Sequence, residues 1–298
     1  MSSNEDAPNQ QGRTAEGAAA GRAAHRLYSR PAVFDDPWAI YLIRPAARFI
    51  VRNRLLYYLL MDRPMKPYKN VLATSLASFR YTEEQVDAAV ERGIEQYAIV
   101  GAGLDSFALR RLDLTNQLHV FEIDHPATQR IKRERIARAG NMPKNLEFAP
   151  ADFESESVAE ALAPTSFDSS KPTVVSWLNT TPYLTDEAIF ATLQSLRDVL
   201  AVGSEIIFNY AVKPEFVDPE DVEGLAFLSA HVKSEGEPWR SAFDPDEFPI
   251  RVSALGYELV EQLTMADLRE RYFRGRQDGL RPAFGGRLAR FAVREGNA

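Results

Sequence analysis

The residues best placed to do chemistry in this 298-residue sequence are two glycines and an acidic strand end. The apolar run 96–100 leads into Gly101 and Gly103, and about twenty residues later a second apolar run ends with Glu122 and Asp124. Glycines let the chain turn sharply and bring its backbone N–H groups close to a ligand. A carboxylate at the second strand end accepts the hydrogens of both hydroxyl groups of a ribose. The pattern therefore predicts a site for a ribose-bearing ligand at the carboxyl edge of a parallel sheet.

The residues after the glycine turn distinguish between two such ligands. A dinucleotide site has a third glycine and aims the amino end of a helix at the pyrophosphate. Here Ser106 takes the place of the third glycine, and Asp105 stands at the start of the helix. A carboxylate repels pyrophosphate, whereas S-adenosylmethionine has no phosphate, so these residues favour S-adenosylmethionine. Structural roles stay open, because Asp105 or Asp124 can cap the helix that follows it and the glycines can be plain turn residues.

Alternating strands and helices must position this turn. Short apolar runs bounded by turn residues predict strands, and longer runs with one apolar face predict helices. The predicted strands are 96–100, 118–123, 146–149, 173–178, 205–210, 256–263 and 288–294, and the predicted helices start near 106 and span 126–139, 186–200 and 266–273. Such alternation is typical of a mainly parallel sheet with helices on both faces.

The first part of the chain is predicted to be helical, over 14–27 and 38–61. Thr82, with Gln85 three residues later, forms a capping box that predicts the start of a further helix ending at Gly93. We expect residues 1–13 to be disordered, because they bury too little to offset the ordering entropy. Residues 14–298 are expected to form one domain, with a helical lead-in over 14–94, a cofactor-binding core over 95–210, an insertion over 211–248 and C-terminal strands over 249–298.

Composition argues against several classes of protein. With a net charge of −7 and a pI of about 5.3, the chain lacks the basic field that a nucleic-acid partner requires. It has no cysteine, which removes disulfides and thiolate metal sites, and no metal site is predicted. No apolar run is long enough to cross a bilayer, and the polar amino terminus does not resemble a signal peptide. We therefore expect a cytoplasmic protein with neither a nucleic-acid nor a membrane partner.

Three segments carry a resemblance to a known family: IVGAGLDSFALR at 99–110, FEIDHP at 121–126 and WLNTTPYL at 177–184. Together with the N-terminal segment 14–37, they resemble the leucine carboxyl methyltransferase family over about residues 14 to 210. The resemblance implies a Rossmann-like class I methyltransferase sheet that is mainly parallel with a C-terminal antiparallel strand. It further implies a helical N-terminal lead-in, an insertion that forms a lid, and S-adenosylmethionine as cofactor.

The same resemblance implies roles for individual residues. Arginines bind the methionine carboxylate of the cofactor, since a guanidinium binds a carboxylate bidentately. Glycines and acidic residues bind the nucleoside, and residues after the third strand border the adenine. The implied cofactor-binding residues are Arg80, Arg22, Gly101, Gly103, Glu122, Asp124, Asp152 and Phe153. Arg80 can instead form a surface salt bridge, and Asp152 can cap a helix. Two departures concern the fourth strand: Leu178 stands where relatives have a glutamate, and Asn179 stands where glycine is usual.

The implied reaction is an in-line methyl transfer to an oxygen of a small molecule. A carboxylate acceptor is already ionised, whereas a hydroxyl acceptor needs a general base within hydrogen-bonding reach. The insertion is expected to cover the acceptor, and the candidate substrate residues are His231, Trp239, Arg240 and Tyr183. Two alternatives remain, an NAD(P)-dependent oxidoreductase and an S-adenosylmethionine-binding protein without turnover. The first needs a lysine four residues after Tyr183, where Glu187 stands.

Overall fold

Seven strands form a single sheet in the computed structural model, which describes residues 10–63, 69–153, 156–234, 239–283 and 285–295, with side chains from residue 14 onward except at 231–234. The strands are β1 (Gln96–Val100), β2 (His119–Asp124), β3 (Leu146–Pro150), β4 (Thr173–Trp177), β5 (Glu205–Ala211), β6 (Tyr257–Leu263) and β7 (Gly286–Val293). Their order is β3-β2-β1-β4-β5-β7-β6. β1 to β5 run parallel, and β7 is antiparallel to both of its neighbours. The predicted mainly parallel sheet with an antiparallel C-terminal strand is confirmed.

The chain changes direction across the sheet at β1. From β1 it moves outward through β2 to β3, and it then crosses to β4 on the other side of β1. Both central strands, β1 and β4, are buried along their whole length, which explains their mostly apolar sequences. A ligand can therefore reach them only at their ends, and the carboxyl ends of β1 and β4 form the topological switch point where ligands of such sheets bind.

Helices precede the sheet and cover both of its faces. The lead-in consists of α1 (Gln10–Tyr28), α2 (Ala39–Leu42), α3 (Pro45–Arg52), α4 (Arg54–Tyr57), which continues as a π-helical turn (Tyr58–Asp62), and α5 (Lys69–Glu91). The later helices are α6 (Phe107–Arg110), α7 (Pro126–Ala139), α8 (Val158–Leu162), α9 (Asp186–Val199), α10 (Val222–Ser234), α11 (Glu247–Ser253) and α12 (Met265–Tyr272). α1 begins at Gln10, earlier than the predicted Thr14, and residues 1–9 of the predicted tail lie outside the described residues.

The predicted helix start at Thr82 is wrong. α5 runs unbroken from Lys69 to Glu91, and Thr82 lies in its interior with 1% of its surface exposed. Buried residues such as Leu76 continue the apolar face well before Thr82. Packing of this face keeps the chain helical on both sides of Thr82, despite the local capping signal there. The predicted inner face nevertheless includes Val86, which is fully buried.

The lead-in helices pack against the core through small residues. The buried face of α1 consists of Ala19, Ala20, Ala23 and Ala24. At Gly21 a β-carbon would lie 2.8 Å from Leu72 of α5, so the two helices cross in close contact there. This packing holds α1 over the carboxyl edge of the sheet, where the β-carbon of Ala15 lies 3.4 Å from the position that a β-carbon on Gly103 would take.

Part of the predicted insertion, residues 211–248, is buried in the hydrophobic core. Phe243 is buried, and its ring centroid lies 4.3 Å from that of Phe248. Phe227, by contrast, is half exposed on α10. Among the described residues, none of the helices combines the length and the apolar character that a membrane-spanning segment requires.

Candidate functional site

The glycine turn lies at the carboxyl end of β1, as predicted. Gly101 and Gly103 have φ values of +67° and +50°, in the left-handed region that favours glycine. The backbone N–H groups of Gly101 and Ala102 both donate to the carbonyl oxygen of Ile123, at 2.9 and 3.2 Å. The turn is thereby fixed against the end of β2.

Asp124 joins this turn directly. Its Oδ2 accepts a 2.5 Å hydrogen bond from the backbone N–H of Gly103, and its Oδ1 accepts one of 2.6 Å from the N–H of His125. Burial raises the pKa of Asp124, and the two N–H donors act in the opposite direction. The structure therefore brings together Gly103 and Asp124, two of the residues that the sequence assigns to the nucleoside.

Asp105 caps the helix that follows the turn. Its Oδ1 accepts a 2.6 Å hydrogen bond from the N–H of Phe107 in the first turn of α6, and the residue is 8% exposed. A buried carboxylate thus occupies the place at which a dinucleotide site would receive pyrophosphate. This geometry supports the capping role and disfavours a phosphate-bearing ligand.

Glu122 points away from the carboxyl edge, although it lies only two residues from Asp124. Its carboxylate forms a buried ion pair with Lys132 of α7, under the sheet. Burial raises its pKa to about 7, against the opposing effect of Lys132. The structure thus places Glu122 in the packing between β2 and α7 and leaves Asp124 as the acid at the edge.

Arg22 reaches the glycine turn from α1. Its Nη2 donates to the carbonyl oxygen of Leu104 at 2.6 Å, its Nε donates to Asp36 at 2.8 Å, and its guanidinium lies 5.0 Å from the ring centroid of Phe79. Within the described residues, its Nη1 group has no hydrogen bond. Arg22 therefore stands beside the turn with one donor group unused.

Arg80 lies elsewhere. Its guanidinium contacts Glu84 at 3.1 Å and the carbonyl oxygen of Val33 at 3.2 Å, and it lies 5.0 Å from the ring of Tyr272. On α5 it is turned about 140° around the helix axis from Ser75, whose side chain faces the end of β4. None of these contacts involves the glycine turn, so the geometry favours Arg22 over Arg80 at that position.

A buried ionic network supports Arg22. Asp36, 1% exposed, accepts from Arg22 and lies 3.6 Å from Arg110, which also binds Glu83 of α5. Burial acts to raise the pKa of Asp36, but the two guanidinium groups hold it below its ordinary value. The network ties four segments of the chain together beside the glycine turn, namely α1, the loop at Asp36, α5 and α6.

A polar cluster at the ends of β4 and β5 was missed in the sequence, where only Asn179 was noted, as a departure from glycine. Asn179 has a φ of +59°, which explains why glycine is usual at this position. Its backbone N–H donates to Oδ1 of Asn209 at 2.6 Å, and its Nδ2 donates to Ser75 at 3.0 Å. Thr180 Oγ1 would lie 2.8 Å from a β-carbon on Gly101. A lone asparagine inside the apolar strand 205–211 was the available signal.

Asp152 and Phe153 follow the end of β3, next to Asp124. The N–H of Ala151 donates to the carbonyl oxygen of Asp124 at 3.0 Å, and that of Asp152 donates to Glu156 at 2.9 Å. Phe153 is 37% exposed. Both residues therefore lie at the same edge of the sheet as the glycine turn.

Three of the four predicted substrate residues lie in or beside the segment that follows β4. Tyr183 ends a short 3-10 helix (Thr181–Tyr183) that follows β4. The backbone N–H of Arg240 donates to the carbonyl oxygen of Pro182 at 2.7 Å, so Trp239 and Arg240 return to this segment. The backbone of His231 lies in α10, but its side chain is outside the described residues.

A groove of about 670 Å³ lies at the opposite edge of the sheet, at the amino ends of β1 and β2. Several of its polar lining residues bind one another: Gln96 exchanges hydrogen bonds with the backbone of Asp168, and Lys171 pairs with Glu95 at 2.9 Å. Such contacts close the ends of strands. They do not converge on an open point where a ligand would react.

Comparison with known proteins agrees with this geometry. The family model for leucine carboxyl methyltransferase matches residues 15–197. YktD of Bacillus subtilis, an inferred S-adenosyl-L-methionine-dependent methyltransferase, is 30% identical over 279 residues, covering 88% of this chain and 91% of YktD. An inferred methyltransferase of the same kind from Mycolicibacterium paratuberculosis is 34% identical over 201 residues, covering 65% of this chain and 63% of that protein.

A solved structure shows the same fold. The crystal structure of an inferred methyltransferase from Thermobifida fusca YX matches with a TM-score of 0.59 and 18% sequence identity, over 90% of this chain and 100% of its own. The family match spans more than half of the chain and includes the glycine turn, Asp124 and the end of β4. The chain therefore belongs to the leucine carboxyl methyltransferase family.

Proposed function

We propose that this chain, an S-adenosylmethionine-dependent methyltransferase by its family, transfers the methyl group to a carboxylate or hydroxyl oxygen of a small molecule. The observation that carries the proposal is the meeting of Gly103 and Asp124 at the switch point of the sheet. The carboxylate of Asp124 is positioned to accept from ribose hydroxyl groups once they displace or share its N–H donors.

The surrounding residues fit this cofactor. Asp105 fills the amino end of α6, and the sulfonium nucleoside brings no phosphate that would be repelled by it. We assign the adenine to the region of Asp152 and Phe153, which directly follow Ala151, the residue whose backbone N–H donates to the carbonyl oxygen of Asp124. We assign the methionine carboxylate first to Arg22, because its Nη1 group is unused beside the turn, and Arg80 remains the second candidate.

We assign the acceptor to a cluster of polar, uncharged side chains. Ser75, Asn179 and Asn209 present hydroxyl and amide groups at the ends of β4 and β5, all within one hydrogen-bonded cluster. When bound, S-adenosylmethionine supplies an activated methyl group. The chain's own contribution is to hold the acceptor oxygen in line behind that group and to exclude water, which can account for roughly 7–11 kcal/mol of the barrier.

The two acceptor chemistries place different demands on His231. A carboxylate needs no base, so substitution of His231 would leave the rate unchanged. A hydroxyl needs a base, and His231 on α10 is the candidate, with Trp239, Arg240 and Tyr183 around the acceptor. The rate of the His231→Ala variant as a function of pH separates the two cases, because loss of a base removes the acidic limb of the profile.

The test uses S-adenosylmethionine labelled in its methyl group, incubated with the protein and a bacterial extract separated into small-molecule and protein fractions. We expect label in the small-molecule fraction. Mild alkali should release this label as methanol if the product is a methyl ester, and should leave it in the product if that is a methyl ether. The Asp124→Ala variant, matched to wild type in secondary structure, is the control and should transfer little. Label confined to protein C-termini would refute the small-molecule acceptor. Binding without transfer to any fraction would favour the protein without turnover.

A further inference from the structure

An apolar ridge on the lead-in helices has no partner in the described part of the chain. It consists of Phe49 on α3 and of Leu55, Tyr58, Leu59 and Leu60 on α4 and its π-helical extension. These side chains are between 46% and 67% exposed. Leu55, Tyr58 and Leu59 have the i, i+3, i+4 spacing of a helical stripe. A surface helix normally turns such a stripe inward, so this one is available for contact.

The ridge points outward because the opposite face of the same helix is anchored. The ring of Tyr57 stacks on Tyr28 of α1 with centroids 5.0 Å apart, and Met61 packs against the buried cluster that includes the alanine face of α1. The inner positions of the helix are thus taken by the protein itself. The exposed leucines cannot turn inward without breaking that packing.

The ridge belongs to a positively charged segment of the chain. The segment 44–63 contains five arginines, namely Arg44, Arg48, Arg52, Arg54 and Arg63, and one acid, Asp62, for a net charge of +4. Since the whole chain carries −7, the remaining residues carry −11. Among the described residues, none of the five guanidinium groups lies within 4.0 Å of a carboxylate, and at Arg44 the carboxylate of Glu16 contacts only the backbone N–H. Two of them instead stack over Tyr41, at 5.6 and 6.0 Å.

We propose that the ridge and its arginines form a docking surface for an anionic lipid membrane. Exposed leucine and aromatic side chains flanked by unpaired arginines are the chemistry of helices that lie in a membrane interface, with the apolar face buried and the charges at the headgroups. A second copy of the chain fits less well, because two ridges packed face to face would bring their arginines together. The expectation of no membrane partner was argued from the lack of a spanning segment, which an interfacial contact does not need.

The experiment is flotation of the full chain with phosphatidylcholine vesicles and with vesicles that also contain phosphatidylglycerol. Wild type should partition onto the anionic vesicles, and added salt should reduce this binding. The Leu55→Ser/Leu59→Ser variant should bind at least about tenfold more weakly, and each of Arg52→Gln and Arg54→Gln about fivefold more weakly. Ile250→Ser and Arg274→Gln are matched controls, because both residues are strongly exposed outside the ridge.

Three results would overturn the proposal. The first is wild type that fails to float with anionic vesicles, and the second is flotation that the ridge variants leave unchanged. The third is a combination of two observations: wild type does not float with vesicles, and in sedimentation velocity without lipid it forms a dimer that the Leu55→Ser/Leu59→Ser variant does not form. That result would assign the ridge to contact with a second copy of the chain. Circular dichroism and affinity for S-adenosylhomocysteine verify that each variant is folded. The vesicle test does not depend on the methyl acceptor.

Discussion

Replacement of Gly101 by alanine probes the contact between the glycine turn and the end of β4. Gly101 has a φ of +67°, and a β-carbon built there lies 2.8 Å from Oγ1 of Thr180. Two costs therefore add. A non-glycine residue in the left-handed region costs about 1–2 kcal/mol, and forcing an additional carbon into a packed site costs about 1–3 kcal/mol.

The chain offers a matched control that separates the two costs. Gly275 has a similar φ of +74°, but a β-carbon there meets nothing within 4 Å. We expect Gly275→Ala to lower the free energy of unfolding by about 1 kcal/mol and Gly101→Ala by about 3 kcal/mol. The difference measures the contact with Thr180, because the backbone term is common to both variants.

Urea unfolding and calorimetric titration with S-adenosylhomocysteine test this reasoning. Thr180→Ala removes the obstructing oxygen, so Gly101→Ala should cost only about 1 kcal/mol in that background. Gly101→Ala alone should also weaken binding of S-adenosylhomocysteine, whereas Gly275→Ala should not. Equal unfolding free energies for Gly101→Ala and Gly275→Ala would refute the packing of Thr180 against the turn.

Three further predictions concern charged groups. Asp124→Asn should weaken S-adenosylhomocysteine binding at least about tenfold, and calorimetry should show wild-type affinity decreasing as pH falls through the raised pKa of Asp124, a dependence absent from the variant. Arg22→Met removes one of the two positive charges beside the buried carboxylate of Asp36, so it should lower the free energy of unfolding, measured in urea, by about 3 kcal/mol. Arg138 is exposed, and the control variant Arg138→Met should change that free energy by under about 0.5 kcal/mol. In the folded state the pKa of Glu122 is about 7, against an ordinary 4.5, so the free energy of unfolding should decrease as pH rises between these values. Glu122→Gln should flatten this pH dependence, and an unchanged slope in that variant would contradict the assignment to Glu122.

Local patterns predicted most of the fold and part of the site. The glycines of the turn and Asp124 were predicted because each signal is contained in one strand and the turn after it. The parallel sheet followed from alternating strands and helices, whose periodicity reflects burial on both faces. The start of α5 was mispredicted, since the local signal at Thr82 is overridden by burial of the helix face that begins at Lys69.

The sequence by itself therefore determined which elements form and which residues end the strands, because propensity and hydrophobic period act between near neighbours. Only the tertiary structure decided that Glu122 faces Lys132 while Asp124 faces the turn, and that Arg22 rather than Arg80 reaches Leu104. These outcomes depend on contacts between residues far apart in the chain, such as the 82 positions between Arg22 and Leu104. Chain spacing does not encode such contacts, since they arise when the packing of α1 on the sheet brings the two segments together.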